Sequence, residues 1–524
     1  MFAPLSRLAR RAVTHFWSSA ILLVPPGVHA EQSSRPVLDL DARQAPPAIV
    51  EVRTRVTSTD NGGLSVQGQE RSDLIVSVRP QLTLSRRSAA LAFDLDAAAT
   101  LLKYANGTQQ GGVRPDVRAS LTSTLLDRWV YIDAQTRVRQ SETDPFGTRA
   151  DQGTSVNGRT EGSYRLSPYV EREFLPGTTF LARHDFGLTT NVAGDATRVL
   201  TNQTLARIQR KPVPLGGAVE LSHLTTETSG AAARRFTLDT GRVRGNYAVT
   251  ENLVLGAIAG QDRSKFLLSD YTDALYGASL QWRPGPRTEL SVELEHRFFG
   301  QSGALTFRHR MPSMSFSVIA SRQPALSSSS LGLLGQGTDV RNFLDAILTT
   351  RYPDATTRVG IVDNIVTSRG LDTRSSEAID IVANVPQLIT NVQGTWAWLS
   401  ARNAASLVLY SQTTRRLTRD GDPFVSSLVS STDSRQAGGS VQFSRRLSPH
   451  LSATVLSRWS KINGLAARDG DVSDEKSVRL SVQQEISPRT GVSAGVQHTR
   501  FTTTVASQSS YDATLAFVGM SHRF

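Results

Sequence analysis

Apolar and polar residues alternate in steps of two along most of the chain. In "IVEVRTRV", Val50, Val52, Thr54 and Val56 share one face, and Glu51, Arg53 and Arg55 share the other. In "LAFDLDA", Leu91, Phe93 and Leu95 alternate with Asp94 and Asp96. In "LSVELEHRF", Leu290, Val292 and Leu294 alternate with Ser291, Glu293 and Glu295. In "VRLSVQQEI", Val478, Leu480, Val482 and Ile486 alternate with Arg479, Ser481, Gln483 and Glu485, with Gln484 the one break in the apolar face. This is the period of a strand, not of a helix. The last residues, "FVGMSHRF", keep it through Phe524, His522, Met520 and Val518. A fraying chain end rarely finishes on a large apolar group. A final strand paired on both edges holds one in place, and that points to a closed barrel.

The connections alternate as well. Tight turns fall at "SRRS" near 85, "LLDR" at 125, "FLPG" at 174, "PVPL" at 212, "TEN" at 250, "PGPR" at 284, "MPS" at 311, "ARN" at 401, "SPH" at 448 and "SPR" at 487. Between consecutive turns lies one longer or more polar connection, such as "SETDPFGTRADQGTSVNG" at 141 or "NGLAARDGDVSDEK" at 463. Short turns on one side and longer loops on the other is the pattern of a transmembrane barrel with periplasmic turns and extracellular loops. The pattern predicts an all-β fold, a closed antiparallel transmembrane β-barrel of about 22 strands (roughly 20 to 24), spanning residues 47–524. Phe524, Met520 and Val518 then end the last strand on its lipid face, a terminus resembling the signal read by barrel-assembly machinery. Glu51, Arg53, Arg55, Asp94, Asp96, Glu293, Glu295 and Arg479 are the candidate lumen-facing residues.

One connection departs from this spacing. Residues 326–383 are far longer than an ordinary loop. After the flexible "SSSSLGLLGQG", the stretch "TDVRNFLDAILTTRY" places Val340, Phe343, Leu344, Ile347 and Leu348 at i, i+3, i+4, i+7 and i+8. That predicts an amphipathic helix capped by Thr338 or Asp339. "PDATTRVGIVDNIVTSRG" predicts a second helix, with Val359, Val362 and Val366 on one face and a stop at Gly370. The insertion leaves from the extracellular side. Its apolar faces need cover, by packing on themselves, over the mouth, or in the lumen.

Composition adds the compartment. Residues 1–30 run from Arg7, Arg10 and Arg11 through an apolar stretch at Ile21–Val24 to Val28-His29-Ala30. This order reads as a secretory signal peptide cleaved near Ala30, which places the mature chain in the outer membrane. No later apolar run reaches the about 18 residues a helical span needs. A hydrophobic fraction of 39% suits a chain in which every second residue faces water. Residues 31–46, about 16 residues of periplasmic segment, are too short for the plug domain of an energy-coupled transporter. The net charge is +12; without the three signal arginines, 55 basic residues stand against 46 acidic ones, or +9. The arginines are spread along the chain, which argues against nucleic acid and for a lumen or an anionic partner.

No motif nominates a nucleophile, cofactor or metal. The chain has no cysteine, no HExxH, no EF-hand spacing, no GxSxG and no phosphate loop. His184 and Asp185 are neighbours in a strand and point to opposite faces. His296 and His309, in adjacent hairpin strands, are better explained by interface or lumen positions than by metal binding.

The stretches "VTENLVLGAIAG", "LQWRPGPRTELSVELEHRFFGQSGALTFRHR" and "LDAILTTRYPDATTR" together resemble the PEP-CTERM system-associated outer-membrane protein family of barrel porins. The shared features are the Trp282-Arg283-Pro284 turn with Pro286-Arg287, the Arg297-Phe298-Phe299-Gly300 hairpin tip and His309-Arg310, with "STDN" at 58–61 similar to the family's first loop. The resemblance implies a setting of exopolysaccharide production and envelope export, and no catalytic residues. Arg297, Phe298 and Phe299 read as membrane-interface groups around a tight Gly300 hairpin. The expectation is an outer-membrane barrel, in contact with the lipid bilayer, that serves such export as conduit or accessory. A general diffusion porin with weak anion preference, and a barrel enzyme acting on lipid or polymer, are the alternatives.

Overall fold

The computed structural model describes residues 48–126, 129–142, 144–147, 157–191, 198–229, 234–266, 269–325, 340–349, 351–372, 386–417 and 433–524. The expected signal segment 1–30, the segment 31–46 and the helix cap at Thr338 or Asp339 lie outside these residues.

The alternation resolves into 22 strands. The first ten are β1 (Ile49–Thr59), β2 (Asp73–Arg87), β3 (Leu91–Tyr104), β4 (Gly112–Leu126), β5 (Val130–Glu142), β6 (Gly158–Leu175), β7 (Thr178–Asn191), β8 (Arg198–Arg210), β9 (Leu215–Ser229) and β10 (Arg234–Thr250). Next come β11 (Leu253–Phe266), β12 (Ser269–Gly285), β13 (Thr288–Arg297), β14 (Gly300–Arg310) and β15 (Met314–Ala325). The insertion carries two helices, α1 (Val340–Leu348) and α2 (Ala355–Ser368). After it come β16 (Gln387–Leu399), β17 (Asn403–Arg416), β18 (Ser434–Ser448), β19 (Leu451–Gly464), β20 (Val472–Ser487), β21 (Thr490–Thr503) and β22 (Tyr511–Arg523).

Each strand pairs antiparallel with the next, and β22 returns to β1. Glu51 lies opposite Arg523 and Thr59 opposite Leu515 in that seam. The Phe524 N–H donates to the Val50 carbonyl at 3.0 Å and continues the seam by one residue. No edge strand remains, which is the condition for a sheet to cross hydrocarbon. Neither described helix is long and apolar enough to span a membrane.

The register separates the two faces. Val56 sits between Val76 and Val518, and all three are exposed on the outer surface, Val518 at 59%. Along β13, Leu294 is 58% exposed while its neighbours Glu293 and Glu295 are buried inside. Apolar residues outside and polar residues inside invert the arrangement of a soluble protein.

All ten expected tight turns join strands on the side that carries both ends of the β1–β22 seam. "SRRS" is displaced: β2 runs through Arg87, and the turn lies at 88–90. The opposite side is less regular than the sequence suggests. β13 and β14 are joined there by Phe298 and Phe299 alone, with Gly300 at φ +88°, a left-handed conformation that favours glycine. These side chains do not lie at the membrane interface. Arg297, Phe298 and Phe299 are all buried, the two rings packed with Leu224, Phe236, Leu238, Leu388 and Leu417. The Arg297 guanidinium bonds Asp262 and Thr240, a pull toward the interior that the linear sequence does not display.

The two faces of β13 give a direct test. Val292→Arg places a charge against lipid near mid-strand and should destabilise the barrel by roughly 2–4 kcal/mol. Ser291→Arg, on the wet face, should have a much smaller effect. Urea titration of both variants in liposomes measures the difference, and equal destabilisation would contradict the assigned facing.

Candidate functional site: a helical segment inside the barrel

The inserted segment folds for local reasons. In α1, Val340, Phe343, Leu344, Ile347 and Leu348 are all buried. In α2, Asp354 caps the N-terminus by accepting from the Thr357 N–H at 2.7 Å. At the other end the Gly370 N–H donates to the Thr367 carbonyl and the Leu371 N–H to the Val366 carbonyl, with Gly370 at φ +59°. This is a Schellman ending, and Leu371 packs with Val366 as that motif favours. The helices join through Val340, Leu344 and Leu348 on one side and Val362, Val366 and Leu371 on the other. Arg341 pairs with Asp363, and Arg358 with Asp345. Val359, expected on the apolar face, is 58% exposed. Arg358 fills the buried position in that turn and also donates to the Tyr352 and Pro353 carbonyls.

The pair of helices lies within the lumen. Phe343 and Ile347 of α1 pack on Ala397 and Val408, with Leu399 alongside, and Ala404 joins the helix–helix cluster. These wall residues are inward positions of β16 and β17, close to the tight turn at 400–402. The end of α2 is held by polar contacts to the same rim. Ser444 and Thr454 hydroxyls both donate to the Arg369 carbonyl at 2.9 Å, and Ser452 donates to the Ser368 carbonyl at 2.9 Å. Arg523 donates to Thr367 Oγ1 at 3.2 Å. The wall thereby supplies partners for the carbonyls a helix end leaves open. Arg369 in turn donates through Nη2 to the Ser400 and Ala401 carbonyls. A segment that leaves from one end of the barrel thus docks at the other, the end that carries the tight turns.

The docked end is imperfectly satisfied. Arg369 is buried, yet its Nε and Nη1 have no hydrogen-bond partner among the described residues. Unmet buried donors cost about 1–3 kcal/mol each. Burial, with Arg446 nearby, pushes the Arg369 guanidinium down to about 10. Beyond Arg369, Asp372 pairs with Arg458 at 2.6 Å and Arg479 at 3.4 Å.

The residues singled out in the sequence fall into separate groups. Glu51 is buried and accepts from Arg53 and from Arg523, the latter at 3.0 Å. Arg55 stacks over the Phe517 ring at 4.6 Å. Arg479 holds Gln497 and Asp372. Asp94 accepts from Ser85 and Asp96 from Gln81, away from the helices. Glu293 and Glu295 lie on another wall, bonded to Arg244 at 2.7 Å and Arg242 at 2.9 Å. With Glu220, Asp262, Arg297 and Arg207 they form a nearly charge-balanced ladder across β8–β13. Such pairing is what buried charge requires. Phe524, Met520 and Val518 are exposed on the outer face of β22. His184 bonds Thr204 while Asp185 bonds Arg165, Ser167 and Arg183. His296 stacks on Tyr276, and His309 bonds Thr288.

Two features escaped sequence reading. Phe146, in the β5–β6 connection, is fully buried against Ile462 of β19, with Arg468 over its ring at 4.3 Å. That connection therefore reaches across part of the mouth at the end opposite to the tight turns. The docking wall was also missed, although its signal was present: Ala397, Leu399, Ala404 and Val408 make β16 and β17 apolar on both faces near one end.

No family model matches the chain, and no curated protein matches it. Among solved structures, it is similar to the FrpB iron transporter from Neisseria meningitidis (F3-3 variant), at 9% identity over 92% of this chain and 83% of that one, with a TM-score of 0.50. The fold is that of a Gram-negative outer-membrane barrel. The siderophore receptor PirA from Pseudomonas aeruginosa overlays more loosely, at 10% identity over 92% of this chain and 81% of that one, with a TM-score of 0.42. The outer-membrane protein opdK from the same organism gives 10%, 91%, 99% and 0.33 in the same order. At these identities the likeness is one of fold alone.

The docking has a chemical test. A Cβ added at Gly370 would stand 3.3 Å from Gln483 Cβ, close to the about 3.5–4.5 Å separation of a disulfide. The chain has no cysteine of its own. Gly370→Cys/Gln483→Cys should therefore crosslink on mild oxidation in membranes, read as a mobility shift on non-reducing gels. A pair that stays reduced while the barrel is folded would contradict the docked position.

Proposed function

We propose that this barrel is an outer-membrane conduit whose passage is restricted by the segment 326–383. The observation that supports the reading is the docking of α1 and α2 inside the barrel, against β16–β20, at the end opposite to the loop's origin. A large barrel encloses a lumen wide enough to need filling or gating. An extracellular decoration has no physical reason to bond periplasmic turns.

In this reading the cargo belongs to envelope or exopolysaccharide export, and the chain is a member or relative of the PEP-CTERM system-associated barrels. Support comes from the resemblance around Trp282–Arg310 and the helical insertion. The partners are the lipid bilayer, the assembly machinery acting on the β22 terminus, and components of the export system. A general diffusion porin with weak anion preference is the second reading, favoured by the arginines on the wall around Asp372.

Replacing about 50 residues of the insertion by a short Gly/Ser bridge should leave the barrel folded, because closure entropy changes slowly with loop length. Single-channel conductance in planar bilayers should rise several-fold, and larger solutes should pass. A folded, shortened protein with unchanged conductance would overturn the gating role. High conductance of the intact protein, insensitive to the deletion, would favour the diffusion porin.

A further inference from the structure

The outer face of the barrel is not uniform at the end opposite to the tight turns. On β9–β12 the outward charges there answer one another. Arg235 pairs with Glu227 at 3.4 Å, Arg263 and Lys265 with Asp270 at 2.8 Å and 3.4 Å, and His223 with Asp239. On β18–β22 the outward charges do not balance. Arg435, Lys461, Lys476 and Arg500 are exposed on the outer face, against Asp474 and Asp512 on the same strands. Asp474 lies 3.5 Å from Lys476 and Asp512 lies 3.9 Å from Arg500, yet the two cationic side chains stay 67% and 66% exposed.

The register sets the four cations in one band. Lys476 stands directly opposite Arg500. Lys461 is one diagonal step from Lys476, and Arg435 one diagonal step from Lys461. Directly opposite side chains start about 5 Å apart and diagonal ones about 7–8 Å. From β18 to β21 the band crosses three strand spacings, about 14 Å. On its mid-barrel side, Trp459 stands opposite Lys476 and lies over Gly439, where an added Cβ would come within 2.6 Å of the indole. Val441, Phe443, Val455, Val478 and Leu480 continue the outer face toward mid-barrel, all of them exposed. An indole between a row of cations and an apolar wall is the arrangement of a membrane interface.

We infer that Arg435, Lys461, Lys476 and Arg500 form a docking site for a lipid whose saccharide headgroup carries phosphates at two places. The acyl chains of that lipid lie along Val441, Phe443, Val455, Val478 and Leu480. Its phosphates accept from the ammonium and guanidinium groups above them, which makes strong charge-assisted bonds. The width of the band favours two separated phosphates on one headgroup over the single phosphate of a glycerophospholipid. Tight turns of such barrels face the periplasm, so the opposite end sits in the outer leaflet. This site is on the lipid side of the wall and does not depend on the conduit reading.

The test is native mass spectrometry of the full-length protein in detergent, titrated with bisphosphorylated lipid A, monophosphorylated lipid A or phosphatidylglycerol. Bisphosphorylated lipid A should bind at the lowest concentration and phosphatidylglycerol at the highest, and inorganic phosphate should not displace the bound lipid. Lys476→Gln/Arg500→Gln removes two of the four cations and should weaken bisphosphorylated lipid A by roughly tenfold or more. Arg435→Gln/Lys461→Gln should act in the same direction and serves if the first pair fails to fold. Arg263→Gln/Lys265→Gln, on the charge-balanced wall, should leave binding as it is in the parent. Heat-modifiable gel mobility establishes that each variant is folded. The inference is overturned if phosphatidylglycerol binds as tightly as bisphosphorylated lipid A, if inorganic phosphate displaces the lipid, or if folded β18–β21 variants bind like the parent. Equal losses from the two walls would also overturn it, since the barrel would then be attracting anions by its overall charge.

Discussion

The hydrogen-bonded seam between β1 and β22 is the constraint on which the rest of the molecule depends. Inside hydrocarbon, an unpaired backbone N–H or C=O has no water to turn to, so a sheet crosses only if it closes. The register from Glu51–Arg523 to Thr59–Leu515 provides that closure. It also fixes facing: a slip of β1 by one residue would send Glu51, Arg53 and Arg55 into lipid, and a slip of β22 would send Val518 and Met520 into the lumen.

Closure creates a second problem, because a ring of this many strands surrounds a wide interior. The chain meets it in two ways. On β8–β13, charged side chains pair with one another and line the wall without help. On β16–β20, the wall is partly apolar at its tight-turn end, and two helices cover it. The connections at the opposite end add to this, with Phe146 on Ile462 and Phe298–Phe299 among the leucines of the rim. Functional consequences then follow from which of these contacts can be released. The end of α2 is the best candidate, because it is held by hydroxyls and ion pairs and leaves Arg369 partly unmet.

The barrel itself was legible in the sequence because strand period, turn chemistry and the facing of charge all report the same local geometry. The helical character of 340–370 was legible for the same reason, including the stop at Gly370. Three things were not. The inward turn of Arg297–Phe299 depends on Asp262 and Thr240, which are remote in sequence. The exposure of Val359 depends on Arg358 reaching Asp345 of the other helix. The docking of the insertion depends on Ser444, Ser452 and Thr454, ordinary small polar residues whose role appears only when a helix end is laid against them. Lumen-side chemistry is written in long-range pairs, and alternation carries no record of those.

The central claim is that the segment inserted between β15 and β16 reaches through the lumen to the tight-turn rim. A distance between spin labels at Asn364→Cys on α2 and Pro449→Cys on the β18–β19 turn, measured by double electron–electron resonance in lipid, tests it most directly. The apolar band is about 25 Å tall. The account predicts a distance distribution centred well below that height. A distribution centred above it would place the helices outside the barrel and contradict the account.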